Sequence, residues 1–384
     1  MTESVEAAAP RDVGGGVRAG NLARVLRLIH RGGAQSRAQL TAATGLNRST
    51  IADLVAELVA EGWMVERDPD PIGRVGRPSP VVAASARTVV IAVNPEVDAV
   101  EVAAIDLGRQ IVVRERIESE SVIGAAEVAD VVGDAIERWR QGALSDARLV
   151  AVGVAVPGLV RAADGLVRNA PHLGWIDAPL SALIADRTGL PVAVGNDASL
   201  GAVAEHLFGA AQGVDDVVYL NGGPSGIGGG IIVHGSPVGG VGGYAGEFGQ
   251  NRVDASSAVV LEDVVSRARL LSALGLPAAD DATLGEALAA AVEEDAVHAE
   301  FQGQRGFLAQ AIADAVNILN PSVVVLGGFL AQLEELDPEG FAADVAARAM
   351  PENVEGLRIL PASLAADRLL LGAAELSWTA AGVI

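Results

Sequence analysis

The chain has 384 residues, half of them hydrophobic, and carries a formal net charge of −22. Its length and hydrophobic content are enough for two or three domains with substantial cores. It contains no cysteine, which excludes disulfides, thiolate metal sites and cysteine nucleophiles, and no lysine, which excludes a Walker A phosphate loop. No run of apolar residues is long enough to span a membrane, and the first residues lack a basic leader pattern. We therefore expect a soluble cytoplasmic protein with no metal site, no cofactor and no membrane partner.

The charge is distributed unevenly along the chain. Residues 18–80 hold nine arginines against six acidic residues, whereas residues 81–384 hold 17 against 40. A basic segment joined to an acidic body is typical of a nucleic-acid-binding module, because phosphate contacts require local positive charge. The preceding residues 1–17 are small and acidic, and we predict that they form a disordered tail.

Three short helices are predicted before residue 63. The first begins near Asn21 and ends at Gly32-Gly33, the second is capped by Ser36 and ends at Gly45, and the third begins at Asn47. Apolar residues at helical spacing are predicted to face the core, namely Leu22, Val25, Leu26 and Ile29, then Leu40 and Ala43, then Ile51, Leu54, Val55, Leu58 and Val59.

This layout, with a glycine turn before the third helix, is typical of a helix-turn-helix. The first turn of the third helix would be exposed, and its side chains suit base edges and phosphates. The predicted DNA contacts there are Asn47, Arg48, Ser49 and Thr50. A three-helix protein-interaction module is the alternative.

The next segment, EGWMVERDPDPIGRVGRPSPVVAAS, predicts a strand, a turn with a glycine-arginine tip, and a returning strand. Directly after a helix-turn-helix, this pattern indicates a wing, in which Arg74 and Arg77 would enter a narrow minor groove. A solvated linker is the alternative. We place the winged helix-turn-helix domain at residues 18–82.

The remainder of the chain predicts two similar α/β units. Strands are expected at 87–93, 98–106, 110–117 and 149–155, with a helix near 122–141. A second set begins near Asp215, with strands in DVVYL, GGGIIVHG and PVGGVGG and a buried strand at 322–327. Two such units imply two lobes with a ligand cleft between them.

Seven motifs in order resemble the ROK family of bacterial sugar kinases and sugar-responsive repressors, specifically its repressor branch with a winged helix-turn-helix. They are GRVGRPSPVV, VGVAVPGLVRAADGLVRNAPHLGWIDAPL, VGNDASLGAVAEHLFGAAQG, GIGGGIIVHG, GGYAGEFGQ, LEDVVS and NPSVVVLGG. The resemblance implies a two-lobed, sugar-kinase/actin-like (ribonuclease-H-like) fold behind the winged domain. The first lobe would comprise residues 86–196 plus 367–384, and the second residues 197–366.

The phosphate-binding half of the family's site is degraded in this sequence. Family kinases hold ATP phosphates with two glycines and a threonine in the first hairpin, where this chain has Pro95 and Glu96. In the second loop, NGGPSGIGGGIIVHG, Pro224 removes a backbone N–H donor. We therefore expect that kinase activity is lost and that Asp197, the family's base, is vestigial.

The sugar-binding half is largely kept. Asn196, Asp197, Glu247 and Glu262 match family sugar contacts, Gln250 stands where the family has a histidine, and His172 stands where it often has an asparagine. Helix capping alone is the alternative role for Asn196 and Asp197. The family's cysteine-histidine zinc site is absent, which puts the usual sugar affinity in doubt.

Together these features predict a DNA-binding transcriptional regulator, a repressor, that senses a sugar or sugar phosphate. We expect a homodimer, or a dimer of dimers, on a palindromic double-stranded operator. An active ATP-dependent sugar kinase and a ligand-independent DNA-binding protein are the alternatives.

Overall fold

The protein is described by a computed structural model that covers residues 16–67, 80–224 and 226–384. The tip of the predicted wing, with Arg74 and Arg77, lies outside the described residues. So does nearly all of the predicted tail, apart from Gly16 and Val17.

The three predicted N-terminal helices are present, together with a three-stranded sheet in the order β1-β3-β2. The elements are α1 (Val17–Gly32), β1 (Gln35–Ser36), α2 (Arg37–Thr44), α3 (Arg48–Ala60), β2 (Met64–Arg67) and β3 (Val81–Ala84). Ser36 and Gln39 form a capping box at α2, in which each side chain bonds the other residue's backbone N–H.

Three details of this region differ from the prediction. Helix α1 begins at Val17, four residues before Asn21. Ala43 is exposed, and the neighbouring Thr44 is buried instead, with its hydroxyl donating to the carbonyl of Leu40. Val59, at the edge of the buried face of α3, is 36% exposed. Apolar spacing locates a helical face but leaves its edges uncertain by one residue.

The first half of the body is built on a five-stranded sheet in the order β11-β7-β4-β5-β6. A small sheet, β10-β9-β8, projects from it. The elements are β4 (Thr88–Pro95), β5 (Ala99–Asp106), β6 (Ile111–Glu118), α4 (Ala125–Arg140), β7 (Arg148–Val156), β8 (Leu159–Val160), β9 (Val167–Ala170), β10 (Trp175–Ala178), α5 (Leu180–Thr188) and β11 (Val192–Asn196).

The second half has its own five-stranded sheet, in the order β14-β13-β12-β15-β16. Its elements, together with the helices that precede and follow it, are α6 (Asp197–Phe208), β12 (Val217–Gly223), β13 (Gly226–Val233), β14 (Ser236–Pro237), α7 (Leu261–Val264), α8 (Arg267–Ala273), α9 (Asp281–Ala291), α10 (Asp295–Leu319), β15 (Val323–Gly328), α11 (Phe329–Glu335), α12 (Pro338–Ala346), β16 (Arg358–Pro361) and α13 (Arg368–Ala380).

The two large sheets share one topology. Each begins with three antiparallel strands, β4-β5-β6 and β12-β13-β14, and then adds two parallel strands beside its first strand. The repeated α/β pattern predicted from sequence is therefore present. The strand predicted in PVGGVGG is wrong beyond Pro237, because the chain turns through positive φ at Gly240 and Gly243.

The last helix, α13, returns to the first sheet and packs on β4 and β7. The approach is close: a Cβ on Gly153 of β7 would lie 2.0 Å from the carbonyl oxygen of Ala373. One buried cluster joins α13 to this sheet and to helices α1–α3. No helix among the described residues has the length and hydropathy needed to cross a membrane.

Candidate functional site

The predicted sugar contacts Asn196 and Asp197 lie where strand β11 meets helix α6. Asn196 is the N-cap of α6, and its side-chain oxygen accepts the N–H of Ser199 at 2.9 Å. Its amide nitrogen donates to the carbonyl of Gly158 at 3.1 Å and to Asp197 Oδ1 at 3.2 Å. The capping role of Asn196 is therefore present. The hydrogen bond from its amide nitrogen fixes the orientation of the Asp197 carboxylate.

The Asp197 carboxyl group is electrostatically unusual. Burial raises its pKa to about 6, the negative charge of Glu247 also raises it, and the N–H of Ala198 and the charge of Arg368 act in the opposite direction. Near neutral pH such a group is largely ionised but can still take a proton, which suits it to accept a hydrogen bond from a sugar hydroxyl.

Glu247, Gln250 and Glu262 lie together on the second half of the body. Gln250 Nε2 donates to Glu262 Oε1 at 2.6 Å, and the N–H of Ile227 donates to Glu262 Oε2 at 3.2 Å. The Glu262 carboxylate thus joins the backbone of β13 to the side chain of Gln250 through hydrogen bonds. Burial, with a further contribution from the charge of Glu262, raises the pKa of Glu247, so these carboxylates lie within electrostatic range of each other.

The segment 250–262 is held by contacts within the chain. A β-bridge pairs Arg252 with Val260, and the N–H of Leu261 donates to the carbonyl of Asn251 at 2.9 Å. Among the described residues no group of three or more histidine, aspartate or glutamate side chains could hold a metal ion. The Gln250–Glu262 hydrogen bond is a third contact across this loop.

His172 is less closely tied to the site. It is exposed in a short 3-10 turn, Pro171–Leu173, between β9 and β10. No hydrogen bond joins its side chain to the other predicted sugar contacts, all of which are described. Its predicted role in ligand binding therefore rests on sequence position alone.

The first hairpin, where kinases hold phosphates, is occupied by ion pairs. Arg116 pairs with Glu96 at 2.8 Å and with Asp98 at 3.0 Å, and Arg114 pairs with Glu101 and Asp367. Of these groups Glu96, Glu101, Arg114 and Arg116 line a cavity of about 330 Å³, together with Arg368 of α13. Arg114 and Arg116 thus already have carboxylate partners, and Glu96 and Glu101 present negative charge to any incoming phosphate.

Sequence reasoning missed Arg368, the first residue of α13. Its charge acts on both Asp197 and Tyr219, its guanidinium donates to the carbonyl of Ala365, and its Nε is buried without a hydrogen-bond partner. It brings a fixed positive charge to the region between the predicted sugar contacts and the hairpin cavity. No sequence motif joins it to the site, because Arg368 lies 171 residues beyond Asp197 in sequence.

The predicted DNA contacts lie at the start of α3. Asn47 is its N-cap, and Asn47 Oδ1 accepts from the N–H of Thr50 and from the Ser49 hydroxyl, both at 2.8 Å. Asn47 and Ser49 are therefore partly satisfied within the helix terminus. Arg48, which is exposed, has the longest reach of the four toward a groove.

The sequence profile of the ROK family matches residues 90–380, three quarters of the chain. The chain belongs to the ROK family. The xylose repressor of Caldicellulosiruptor bescii is 26% identical over 364 residues, which cover 88% of this chain and 90% of that protein.

Two solved ROK structures extend the comparison. A ROK family transcriptional regulator, a homolog of the E. coli MLC protein, superposes with a TM-score of 0.76 at 23% identity, covering 96% of this chain and 97% of that one. A ROK glucokinase from Streptomyces griseus, in complex with glucose and AMPPNP, has a TM-score of 0.58 at 26% identity and covers 75% of this chain and 98% of its own. The sugar-kinase fold is therefore correct, and the matches along nearly the whole chain support a ROK-family repressor.

Proposed function

We propose that this ROK-family protein is a sequence-specific DNA-binding regulator that senses a sugar or sugar derivative and no longer transfers phosphate. One observation carries the proposal. Carboxamide and carboxylate groups that can bind sugar hydroxyls remain at the start of α6 and around Glu262, whereas arginine–carboxylate pairs occupy the first hairpin, where a kinase would hold ATP phosphates. A site that keeps polyol recognition but repels triphosphate suits sensing rather than catalysis.

The DNA-binding part of the proposal is a winged helix-turn-helix over residues 18–82, with α3 as the recognition helix. Arg48 would read base edges, the other three residues at the start of α3 would position the helix, and Arg74 and Arg77 would contact the minor groove. As a homodimer, the protein would read two halves of a palindrome. The lobes would be 86–196 plus 367–384, and 197–366.

The DNA-binding part of the proposal is tested by fluorescence anisotropy, with a duplex from upstream of the protein's own coding sequence and a scrambled duplex of the same composition. We expect the upstream duplex to bind at least 1,000-fold more tightly. Arg48→Ala should reduce that preference by about 5- to 150-fold, whereas Arg140→Ala, an exposed arginine at the end of α4, should not. Equal binding of both duplexes by the wild type would refute the DNA assignment.

The sugar-sensing part of the proposal is tested by thermal shift with D-xylose, D-glucose and their phosphates. Relatives are named for xylose, and a related kinase was solved with glucose bound. A ligand at one hundred times its dissociation constant adds about 2.7 kcal/mol. Asp197→Asn and Glu247→Gln should remove the shift, and Glu120→Gln, an exposed glutamate, should keep it. If both site variants regulate DNA binding as the wild type does, the protein is a ligand-independent DNA binder.

The kinase alternative makes a separate prediction. An active enzyme would form ADP from ATP with D-glucose or D-xylose. We expect no turnover above the level of the Asp197→Asn variant, because Arg114 and Arg116 of the hairpin already pair with carboxylates and loop Gly223–Gly226 contains proline. Turnover that depends on Asp197 would restore the enzyme assignment.

A further inference from the structure

We propose that helix α6 couples the sugar site to the DNA-binding helices, and that His30, Phe208 and Arg109 form the junction through which it does so. Asn196 and Asp197 lie at the first turn of α6, and Phe208 is its last residue. A 12-residue helix is about 18 Å long, so its two ends lie in different parts of the molecule. This inference rests on the proposed function.

The centre of the junction is the buried side chain of His30, on α1. Its Nδ1 donates to the carbonyl of Leu107 at 2.6 Å, since a carbonyl oxygen only accepts, and its Nε2 is hydrogen-bonded to Glu375 Oε2 at 2.7 Å. His30 is 1% exposed. One DNA-domain side chain thus contacts both a turn of the first sheet and helix α13.

Phe208 brings α6 into the same junction. Its ring lies edge-on to the His30 imidazole, with centroids 5.6 Å apart, and the Arg109 guanidinium lies 4.5 Å from its centroid. Edge-on aromatic and cation–π contacts have directional preferences, so they respond to displacement of the ring. A movement of the C-terminal end of α6 therefore acts directly on α1.

Arg109 completes the junction by holding the end of α1. Its guanidinium donates to the carbonyls of His30 and Arg31, in the last turn of the helix, where positive charge is favourable. Arg109 does so from a backbone φ of 68°, a left-handed conformation that is strained for a non-glycine residue. The strained turn is maintained by these contacts with α1 and Phe208.

The DNA-binding helices pack directly on the body. Only residues 85–87 join β3 to β4, and the buried cores of α1–α3 and of the α13 side of the first sheet form one cluster. Helix α13 also lies tightly against α6, since a Cβ on Gly372 would be 2.4 Å from the carbonyl of Leu200. Packed interfaces of this kind shift between discrete arrangements rather than deform continuously.

The chain offers a matched control contact in the same interdomain surface. Arg148, on β7, lies over the Trp63 ring at 4.0 Å and donates to the carbonyl of Glu61 at 3.2 Å. This pair also joins the DNA-binding region to the body through a cation–π contact, but it involves no residue of α6. If these contacts only held the DNA-binding region against the body, loss of either contact would have the same effect on α6.

The first experiment needs neither ligand nor DNA. Amide hydrogen exchange is compared among the full-length wild type, His30→Gln and Trp63→Leu. We expect His30→Gln to speed exchange at least fivefold at the amides of Ala198 and Ser199, at the opposite end of α6, and Trp63→Leu to leave them unchanged. Unchanged exchange in His30→Gln, or an equal rise in both variants, would overturn the proposal.

A reciprocal variant covers the case in which His30→Gln does not fold. Phe208→Leu keeps an apolar side chain on α6 but removes the ring, and it should speed exchange in the last turn of α1. If exchange there stays at the wild-type rate, α6 does not act on α1 and the proposal fails.

The second experiment measures the coupling itself. The affinity for the upstream duplex is determined with and without D-xylose or D-glucose, and the ratio of the two values is the coupling factor. Phe208→Leu should reduce a wild-type factor of 5–150 toward one while leaving sugar affinity within twofold, whereas Trp63→Leu should retain the factor. A retained factor in Phe208→Leu contradicts the coupling role. Failure of the wild type to bind DNA or sugar would instead refute the proposed function, and the exchange result would stand independently.

Discussion

Glu205 and Ser363 are joined by hydrogen bonds between the two connections that link the halves of the body. The fully buried Glu205 carboxylate, on α6, accepts the N–H of Ser363 at 3.0 Å and that of Leu364 at 2.9 Å. Helix α6 leads from the first sheet to the second, and Ser363 lies on the return from β16 to α13. One carboxylate therefore fixes the relative position of both connections.

Replacing this carboxylate should be costly. Glu205→Gln keeps the shape, but its amide nitrogen cannot accept from the N–H groups of Ala210, Ser363 and Leu364, so buried donors lose a partner. We expect the free energy of unfolding to fall by about 2–3 kcal/mol, measured by urea denaturation. Glu120→Gln, on the surface, should change it by less than about 0.5 kcal/mol. A loss no larger than the control's would contradict the structural role.

Two glycine-to-alanine substitutions should have opposite effects. A Cβ on Gly209 would lie 2.0 Å from Glu205 Oε2, so Gly209→Ala must displace the carboxylate and should destabilise the protein by about 1–3 kcal/mol. A Cβ on Gly303, within α10, meets nothing within 4 Å, so Gly303→Ala should stabilise it by about 0.5–1 kcal/mol through helix propensity. Thermal or urea unfolding measures both, and a change of the same sign would contradict this packing.

The raised pKa of Asp197 predicts a specific pH dependence. In the folded chain its pKa is about 6, against an ordinary value of 3.8, so between these values the folded state binds more protons and loses stability as the pH rises. Asp197→Asn cannot ionise. We expect it to match the wild type near pH 4 and to exceed it by about 2 kcal/mol at pH 7.5, measured by urea unfolding.

A matched control is Asp164→Asn. Arg161 hydrogen-bonds the Asp164 carboxylate and holds its pKa at about 2, below the range tested. Its stability difference from the wild type should be nearly constant between pH 5 and 7.5. A constant difference for Asp197→Asn over the same range would show that Asp197 does not titrate there.

From the contacts within the loop 250–262 we predict that neither the stability of the protein nor its sugar affinity depends on a metal ion. Millimolar EDTA should leave both the melting temperature and sugar affinity unchanged, because the Gln250–Glu262 bond and the Arg252–Val260 bridge hold the loop. Gln250→Ala should weaken sugar binding by about fivefold, the equivalent of one hydrogen bond. Gln310→Ala, an exposed glutamine that bonds Asp314, is the control. A sugar affinity that falls with EDTA and recovers with Zn²⁺ would contradict this account.

Most of the elements of the body could be predicted because their signals are local. Strands such as β4 and β5 are buried throughout and appear in sequence as short runs of valine, alanine and isoleucine. The error in PVGGVGG has the same origin, since a glycine-rich run resembles a strand until its φ values are known. Gly240 and Gly243 adopt conformations that only the folded environment selects.

The contacts that orient the site could not be predicted in this way. His30 and Glu375 are 345 residues apart, and sequence indicates neither that they meet nor that Phe208 lies beside them. Arg368 was missed for the same reason. The residue types of the candidate site follow from motifs, but which charges lie near Asp197 depends on how α13 returns across the molecule.

The shared core of α1–α3 and the body restricts how the specificity of this protein can change. Exchange of residues 1–84 for another N-terminal segment would leave Glu375 buried without its hydrogen bond to His30, a loss of about 1–3 kcal/mol for an unsatisfied buried group. Recombination of whole modules is therefore disfavoured. Under the proposed function, new operator preferences would arise more readily by point substitution at exposed positions such as Arg48, which can vary without disturbing the junction.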